Sequence, residues 1–263
     1  MTLIIIFVLG LVVGSFLNVV VYRLHSGESV VFKRSHCPKC GHELAVLDLI
    51  PVVSFIWLNR SCRYCQTKIS WQYPLIELTT AILFVLLAQN FQFSIFNFQF
   101  WYLLTVICFL IVIAVFDYKH YLILDKVIFP ALALVTVWNI FLDLTTHYSL
   151  LTTHSHFVSG LEGALLVSGF FGLQYFVSRG RWIGFGDVKF GLLLGSLFGF
   201  KLSLIFLLVS YAIGGAFGLI LIVFGGKKLG SKLPFGVFLS ASAIIMMLYG
   251  LKLTNWYFKL LGL

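Results

Sequence analysis

The chain has 263 residues, of which 60% are hydrophobic and 10% charged, with a mean hydropathy of +1.04. A soluble domain carries about 25% charged residues, so this composition excludes one and indicates an integral membrane protein built from apolar stretches of ~20 residues. The formal charge of +9 is read with that in mind: in a membrane chain, basic residues mark loops on the cytoplasmic side, and a nucleic-acid partner is set aside.

The first apolar run covers residues 3–22. It starts without Lys or Arg and lacks a small-x-small cleavage site at a suitable distance. It therefore reads as a retained transmembrane helix, not a removed signal peptide. Gly10, Gly14 and Ser15 recur at helical spacing and suit close packing on another helix. Residues 23–73 form the one sizeable polar segment. Further apolar runs lie near residues 74–89, 101–116, 127–142 and 157–177. The stretch 188–224 is too long for a single span and is divided at Lys201. A last run covers residues 234–251. The prediction is an all-α membrane protein of eight transmembrane helices with one cytoplasmic cysteine-rich loop. Its parts are residues 1–22 as the first span, 23–73 as the loop and 74–263 as a polytopic membrane domain.

Charge orients this arrangement. Arg23, Lys33, Arg34, Lys39, Arg60, Arg63 and Lys68 fall in the first loop. Lys119 and Lys126 follow the third span, Arg179, Arg181 and Lys189 surround the division after the fifth, and Lys227, Lys228 and Lys232 precede the last. The opposite side keeps only Lys201, Lys252 and Lys259. The positive-inside rule thus places the first loop, Asp117, Asp125 and Asp187 in the cytoplasm and both termini outside. On the outer side, residues 90–100 are uncharged and aromatic, as at a membrane interface. His147, His154 and His156 lack a third ligand type and read as an interfacial loop.

Cys37-Pro38-Lys39-Cys40 and Cys62-Arg63-Tyr64-Cys65 place two Cys-x-x-Cys pairs 21 residues apart. Each pair can offer two thiolates to one tetrahedral ion, and Lys39 and Arg63 favour the thiolate form. A loop of ~50 residues has little core of its own, so a structural zinc is the first reading; reduced or redox-active thiols are the second. His36 and His42 flank the first pair as solvated neighbours, and Cys108 stands alone as a packed apolar residue.

The most informative stretch is Gly184-Phe185-Gly186-Asp187-Val188-Lys189, which sets an acid at a membrane boundary between glycines. An ionisable residue there is a functional candidate. The glycines allow a sharp turn or a close approach, here of the Asp187 backbone to the helix that ends at Asp117. Asp117 ends the third span at the same level. Two carboxylates held together cannot both ionise cheaply, and such a pair can activate water against an amide. The competing reading has Asp117 and Asp125 merely flanking helices, with Asp187 paired to Lys189. Asp143 is expected on the outer side, away from these acids.

These features together resemble the type IV prepilin peptidases, membrane aspartic proteases of the Gly-x-Gly-Asp type. The resemblance rests on residues 14–24, the four cysteines, Pro51 with Ser54, residues 73–77, Asp117, and Gly184 to Lys189. It implies removal of a basic leader from prepilins or pseudopilins, cut after Gly and usually before Phe, in a pilus, secretion or competence system. It also implies N-methylation of the new terminus with S-adenosylmethionine, an activity assigned to the cysteine loop. By matching position, Asp117 and Asp187 would be catalytic, Gly184, Gly186 and Lys189 supporting, and Asp125 the second-choice acid. Leu124 stands where such enzymes commonly carry Pro. The residues holding S-adenosylmethionine are not identified by any motif. The other readings are a Gly-x-Gly-Asp protease acting on other membrane helices, or an ion transporter with acids lining its path.

Overall fold

The structure, a computed structural model, describes residues 1–91, 97–146, 155–225 and 233–260. His147, His154 and the Lys227, Lys228 and Lys232 cluster lie outside the described residues, as do residues 92–96 of the predicted interfacial loop. Regular structure among the described residues is helical, apart from two isolated bridges, His36 with Glu43 and Ser61 with Lys68. The elements are α1 (Thr2–Ser26), a short 3-10 turn (Val46–Leu49), α2 (Val53–Trp57), α3 (Gln72–Asn90), α4 (Phe98–His120), α5 (Asp125–Thr145), α6 (His156–Ser178), α7 (Phe185–Val223) and α8 (Phe235–Leu260).

Seven of these are long and apolar enough to cross a membrane. The 39-residue α7 would measure about 58 Å if straight, twice the hydrocarbon thickness. It breaks at Gly199 (φ 68°, ψ 179°), two residues before the predicted division at Lys201. Only glycine reaches that backbone region without strain, so the break lies at the glycine and not at the charge. With this break the seven helices supply eight apolar segments.

The chain forms two compact units, residues 1–112 and 113–263, with the boundary inside α4. In the first, α1 lies on α3. A Cβ at Gly10 would stand 2.5 Å from Ala81 Cα, and one at Gly14 2.7 Å from Glu77 Cα, so these glycines set the closeness of the two helices. Asn18 adds a polar tie, its amide donating to the Tyr73 carbonyl at 3.1 Å. Arg23, counted above among the loop charges, is instead buried at the end of α1. Its guanidinium donates to the carbonyls of Ser29, Val30, Lys33 and Arg34 at 2.6–3.0 Å. Five donors in a rigid fork suit one arginine to folding a whole turn of loop around itself. The loop also holds Val52 at φ 61°, a position that costs a β-branched residue about 1–3 kcal/mol. Glu77, buried in α3, accepts the Val52 N–H at 2.7 Å and maintains it.

In the second unit α6 and α7 pack most closely where Gly163 meets the Gly195 backbone, with no room for a Cβ on either. Asp143, at the end of α5, is fully buried. It accepts from Ser155 Oγ (2.6 Å) and from the His156 (2.6 Å) and Phe157 (2.9 Å) amides, and so caps the start of α6. We expect Asp143→Ala to remove three hydrogen bonds at the start of α6, one of them buried, and to lower stability by roughly 2–3 kcal/mol, with Asp143→Asn losing less. Thermal unfolding in detergent measures this; equal melting of Asp143→Ala and wild type would contradict the capping role.

Candidate active site and cysteine cluster

Asp117 lies in the last turn of α4, which stops at Tyr121 in left-handed backbone (φ 52°). Asp187 occupies the first turn of α7. Its Oδ2 accepts the N–H of Gly184, the residue that begins the helix, at 3.1 Å. A carboxylate there satisfies one of the donors that a helix N-terminus leaves open and faces the positive end of its dipole. Both acids are buried, Asp117 with 5% and Asp187 with 8% of its surface exposed. Asp187 lies within reach of the charge on Asp117.

The glycines of the motif act by size. Neither Gly184 nor Gly186 has a positive φ, so of the two roles expected of them, a sharp turn or a close approach, the second is the one their contacts support. A Cβ on Gly184 would lie 3.4 Å from Asp187 Oδ2. One on Gly186 would lie 3.1 Å from Cβ of Ile123, in the α4–α5 connection and not in α4 itself.

Asp125 is placed differently. It opens α5, its side chain is 52% exposed, and both its oxygens accept from Lys189 Nζ at 2.7 and 2.8 Å. Lys189 also lies over the Phe185 ring at 5.2 Å. The lysine of the motif therefore pairs with Asp125, and the expected competing pair of Lys189 with Asp187 does not form. Leu124, the residue that precedes α5, has extended backbone (φ −84°, ψ 129°).

One residue at this site escaped the sequence reading. The first-turn amides of Gly236 and Val237 in α8 lie at the Asp117 carboxyl. Asp117 Oδ2 is buried and makes no hydrogen bond among the described residues. A Cβ at Gly236 would stand 2.9 Å from that oxygen and 3.0 Å from Ile123 Cδ1. The available signal was Pro234-Phe235-Gly236 at the start of an apolar run, a helix start with its smallest residue in the first turn. The carboxyl of Asp117 thus faces one helix N-terminus as that of Asp187 faces another.

In the first unit, the sulfurs of Cys37, Cys40, Cys62 and Cys65 all lie within 4.8 Å of one another. Each pair sits in the same small turn. Cys37 N–H donates to the His42 carbonyl and Cys62 N–H to the Thr67 carbonyl, both at 2.9 Å. Gly41 (φ 71°) and Gln66 (φ 58°) occupy equivalent positions of the two turns. The Cys37–Cys65 sulfur separation of 3.8 Å matches the edge of a tetrahedron of ~2.3 Å metal–sulfur bonds. The Thr67 hydroxyl beside Cys65 brings that thiol down to about 6, ionised at neutral pH. Cys40 moves the other way, to about 11: a backbone hydrogen bond at His42 lowers it, but desolvation and the Cys65 and Cys37 sulfurs outweigh that bond. A cation at the centre would relieve the crowding of thiolates, so the donor set fits a metal. His42 stacks on Tyr64 at 3.6 Å and His36 approaches Glu28 at 3.7 Å, so neither joins the sulfurs.

Residues 8–91 match the family model described as the bacterial peptidase A24 N-terminal domain, and residues 103–219 match the type IV leader peptidase family. A prepilin leader peptidase/N-methyltransferase of Pseudomonas aeruginosa is 30% identical over 97% of this chain and 92% of its own length. One from Bacillus subtilis is 29% identical over 97% and 98%, and one from Aeromonas hydrophila 28% identical over 96% and 92%. No solved structure matches the chain.

Proposed function

The chain belongs to the type IV leader peptidase family, and from that membership we propose that it removes the leader of prepilins or pseudopilins with Asp117 and Asp187 as its catalytic pair. The observation that carries the assignment is the pairing itself: two buried carboxyls each face a helix N-terminus, while Asp125 is exposed and bound to Lys189. The pair holds one proton. The ionised member takes a proton from water, whose oxygen attacks the scissile carbonyl. The protonated member stabilises the developing oxyanion, and a proton then passes to the leaving nitrogen as the carbon–nitrogen bond breaks.

The substrate class is consistent with where these acids lie. A prepilin presents a basic leader followed by an apolar helix, with the Gly–Phe bond at the cytoplasmic boundary of the bacterial cell membrane. The positive-inside distribution supports that sidedness for the acids and the cysteine loop, with both termini outside. The four cysteines would hold a structural zinc, which supplies a folded loop and no open coordination position. Family membership further implies N-methylation of the new terminus, for which S-adenosylmethionine would supply the methyl group.

The test is cleavage of a candidate prepilin by purified enzyme in detergent. Release of the leader at the Gly–Phe bond supports the reading. Cleavage only within a transmembrane helix would favour the broader Gly-x-Gly-Asp protease class. Ion flux in proteoliposomes without proteolysis would favour a transporter.

Gly236 provides a sharper check. Gly236→Ala inserts a methyl against Asp117 Oδ2 and Ile123 Cδ1. Cleavage should fall roughly 100-fold in kcat with little change in KM. Ile123→Val removes the second clash only. If the double variant recovered full activity, Gly236 would be a packing residue and not a positioner of Asp117.

A further inference from the structure

Four aromatic rings of the second unit form a closed circuit beside the acid pair. Phe170 and Phe171 come from α6, Tyr211 from the half of α7 beyond the Gly199 break, and Phe235 from the start of α8. Each ring centroid lies 5.7–5.9 Å from the next: Phe170 to Phe171, Phe171 to Phe235, Phe235 to Tyr211 and Tyr211 to Phe170. The last three of these contacts are edge-to-face, the arrangement that the ring quadrupole favours. The break in α7 accounts for the return of the chain to this place. Asp187 stands twelve residues before Gly199 and Tyr211 twelve after it, about 18 Å of helix in each case. A chain that doubles back there brings Tyr211 to the level of Asp187, and Tyr211 does lie within reach of the Asp187 charge.

The circuit adjoins both acids. Phe171 rests on α7 one turn beyond Asp187, where a Cβ at Gly191 would stand 3.0 Å from its Cδ2. Phe235 immediately precedes Gly236, the residue set against Asp117 Oδ2. The rings are not equally covered. Phe171 is fully buried and forms a floor, and Phe235 is half-buried. Phe170 is 41% exposed and Tyr211 39%. The Tyr211 hydroxyl donates to Gln174 Oε1 at 2.8 Å, which fixes the ring and satisfies its polar end within an apolar span. An exposed apolar side chain on a membrane helix can face lipid with no further purpose. These rings are instead held to one another, and the polar tip of one is tied down, at the place where a bond attacked by the acid pair must lie.

We propose that the open rim of this circuit, Tyr211 with Phe170 and Phe235, receives an aromatic side chain on the substrate residue next to the cleaved bond. A peptide bond held between Asp117 and Asp187 carries its flanking side chain to the rings that adjoin them. In a Gly–Phe bond the glycine has no side chain, so the ring received is that of the residue after the cut. Partly exposed aromatic rings can form further edge-to-face pairs with an incoming ring, and an aliphatic side chain of similar bulk forms none. The proposal rests on the peptidase reading above and deepens it, by naming the residues that choose the bond the acids cut.

The experiment compares two prepilin substrates, with Phe or with Leu after the glycine, cut by the purified full chain in detergent. The readout is the ratio of their kcat/KM values on one preparation, which a loss of folded enzyme does not move. Wild type should favour Phe by about tenfold. Phe170→Leu and Tyr211→Leu, which keep apolar bulk and remove a ring, should each lower that ratio at least threefold. Tyr211→Phe, which keeps the ring and removes the bond to Gln174, should hold the ratio within about twofold of wild type. Phe176→Ala, on an exposed part of α6 outside the circuit, should hold it as well. Should Tyr211→Leu fail to fold, Phe170→Leu decides the matter, because that side chain is partly exposed. A wild-type ratio near one overturns the proposal. So does a ratio that Phe170→Leu leaves unchanged, even where both substrates are cut more slowly, since that is the mark of a packing role. A fall in Tyr211→Phe as deep as in Tyr211→Leu would place the selection in the hydroxyl and overturn it too. Failure of wild type to cut either substrate after the glycine would instead count against the peptidase reading itself.

Discussion

Asp117→Asn and Asp187→Asn are each expected to lower leader cleavage by about 10³-fold or more in kcat, because each removes one half of a proton-sharing pair. Asp125→Asn should retain cleavage within about tenfold. Its carboxylate is half exposed and serves Lys189, and an exposed ion pair contributes little. The measurement is single-turnover cleavage of a prepilin in detergent, with thermal melting as the check on folding. The contrast among the three acids is decisive. Full activity in Asp117→Asn or Asp187→Asn removes that residue from the mechanism. A loss in Asp125→Asn as deep as in the other two would make Asp125 a third essential acid and end its reading as a partner of Lys189 alone.

The second large effect concerns the four sulfurs. Purified protein should contain about one zinc per chain, and Cys37→Ser should lose it. Structural zinc sites in small loops carry ~10–16 kcal/mol of apparent binding free energy, which for such loops is folding free energy. The loop, which has its own two turns but little buried apolar surface, should then unfold and methylation should fall at least 100-fold. Cleavage, assigned to acids in the second unit, should fall less than tenfold. Metal analysis by mass spectrometry, read beside the two activities on the same preparation, checks all three statements. Metal-free wild type with full methylation would leave the thiols as the second reading had them, reduced and without an ion.

Where the sequence reading succeeded, the signal was local. Apolar runs specify helices because a span must satisfy its own backbone hydrogen bonds and fill a fixed thickness, so length alone counts them. Two Cys-x-x-Cys pairs carry their turn geometry with them, and the structure brings all four sulfurs together. The Gly10 and Gly14 spacing likewise foretold the close packing of α1 on α3. Where it fell short, the partner was remote in sequence. Lys189 stands two residues from Asp187 yet bonds Asp125, because the first turn of α7 points these two side chains in different directions. Arg23 looked like one more loop charge until the loop closed over it.

By itself the sequence determined the membrane class, the number of apolar segments, the cysteine cluster and the candidate acids, since all follow from composition and short spacing. Only the tertiary structure decided which acid keeps a lysine and which two are buried together. It also revealed that Gly236, 119 positions after Asp117 in the chain, meets that carboxyl. The physical reason is that a helix N-terminus offers its unpaired amides to whatever the packing brings beside it. No periodicity in one segment records what another segment will place there.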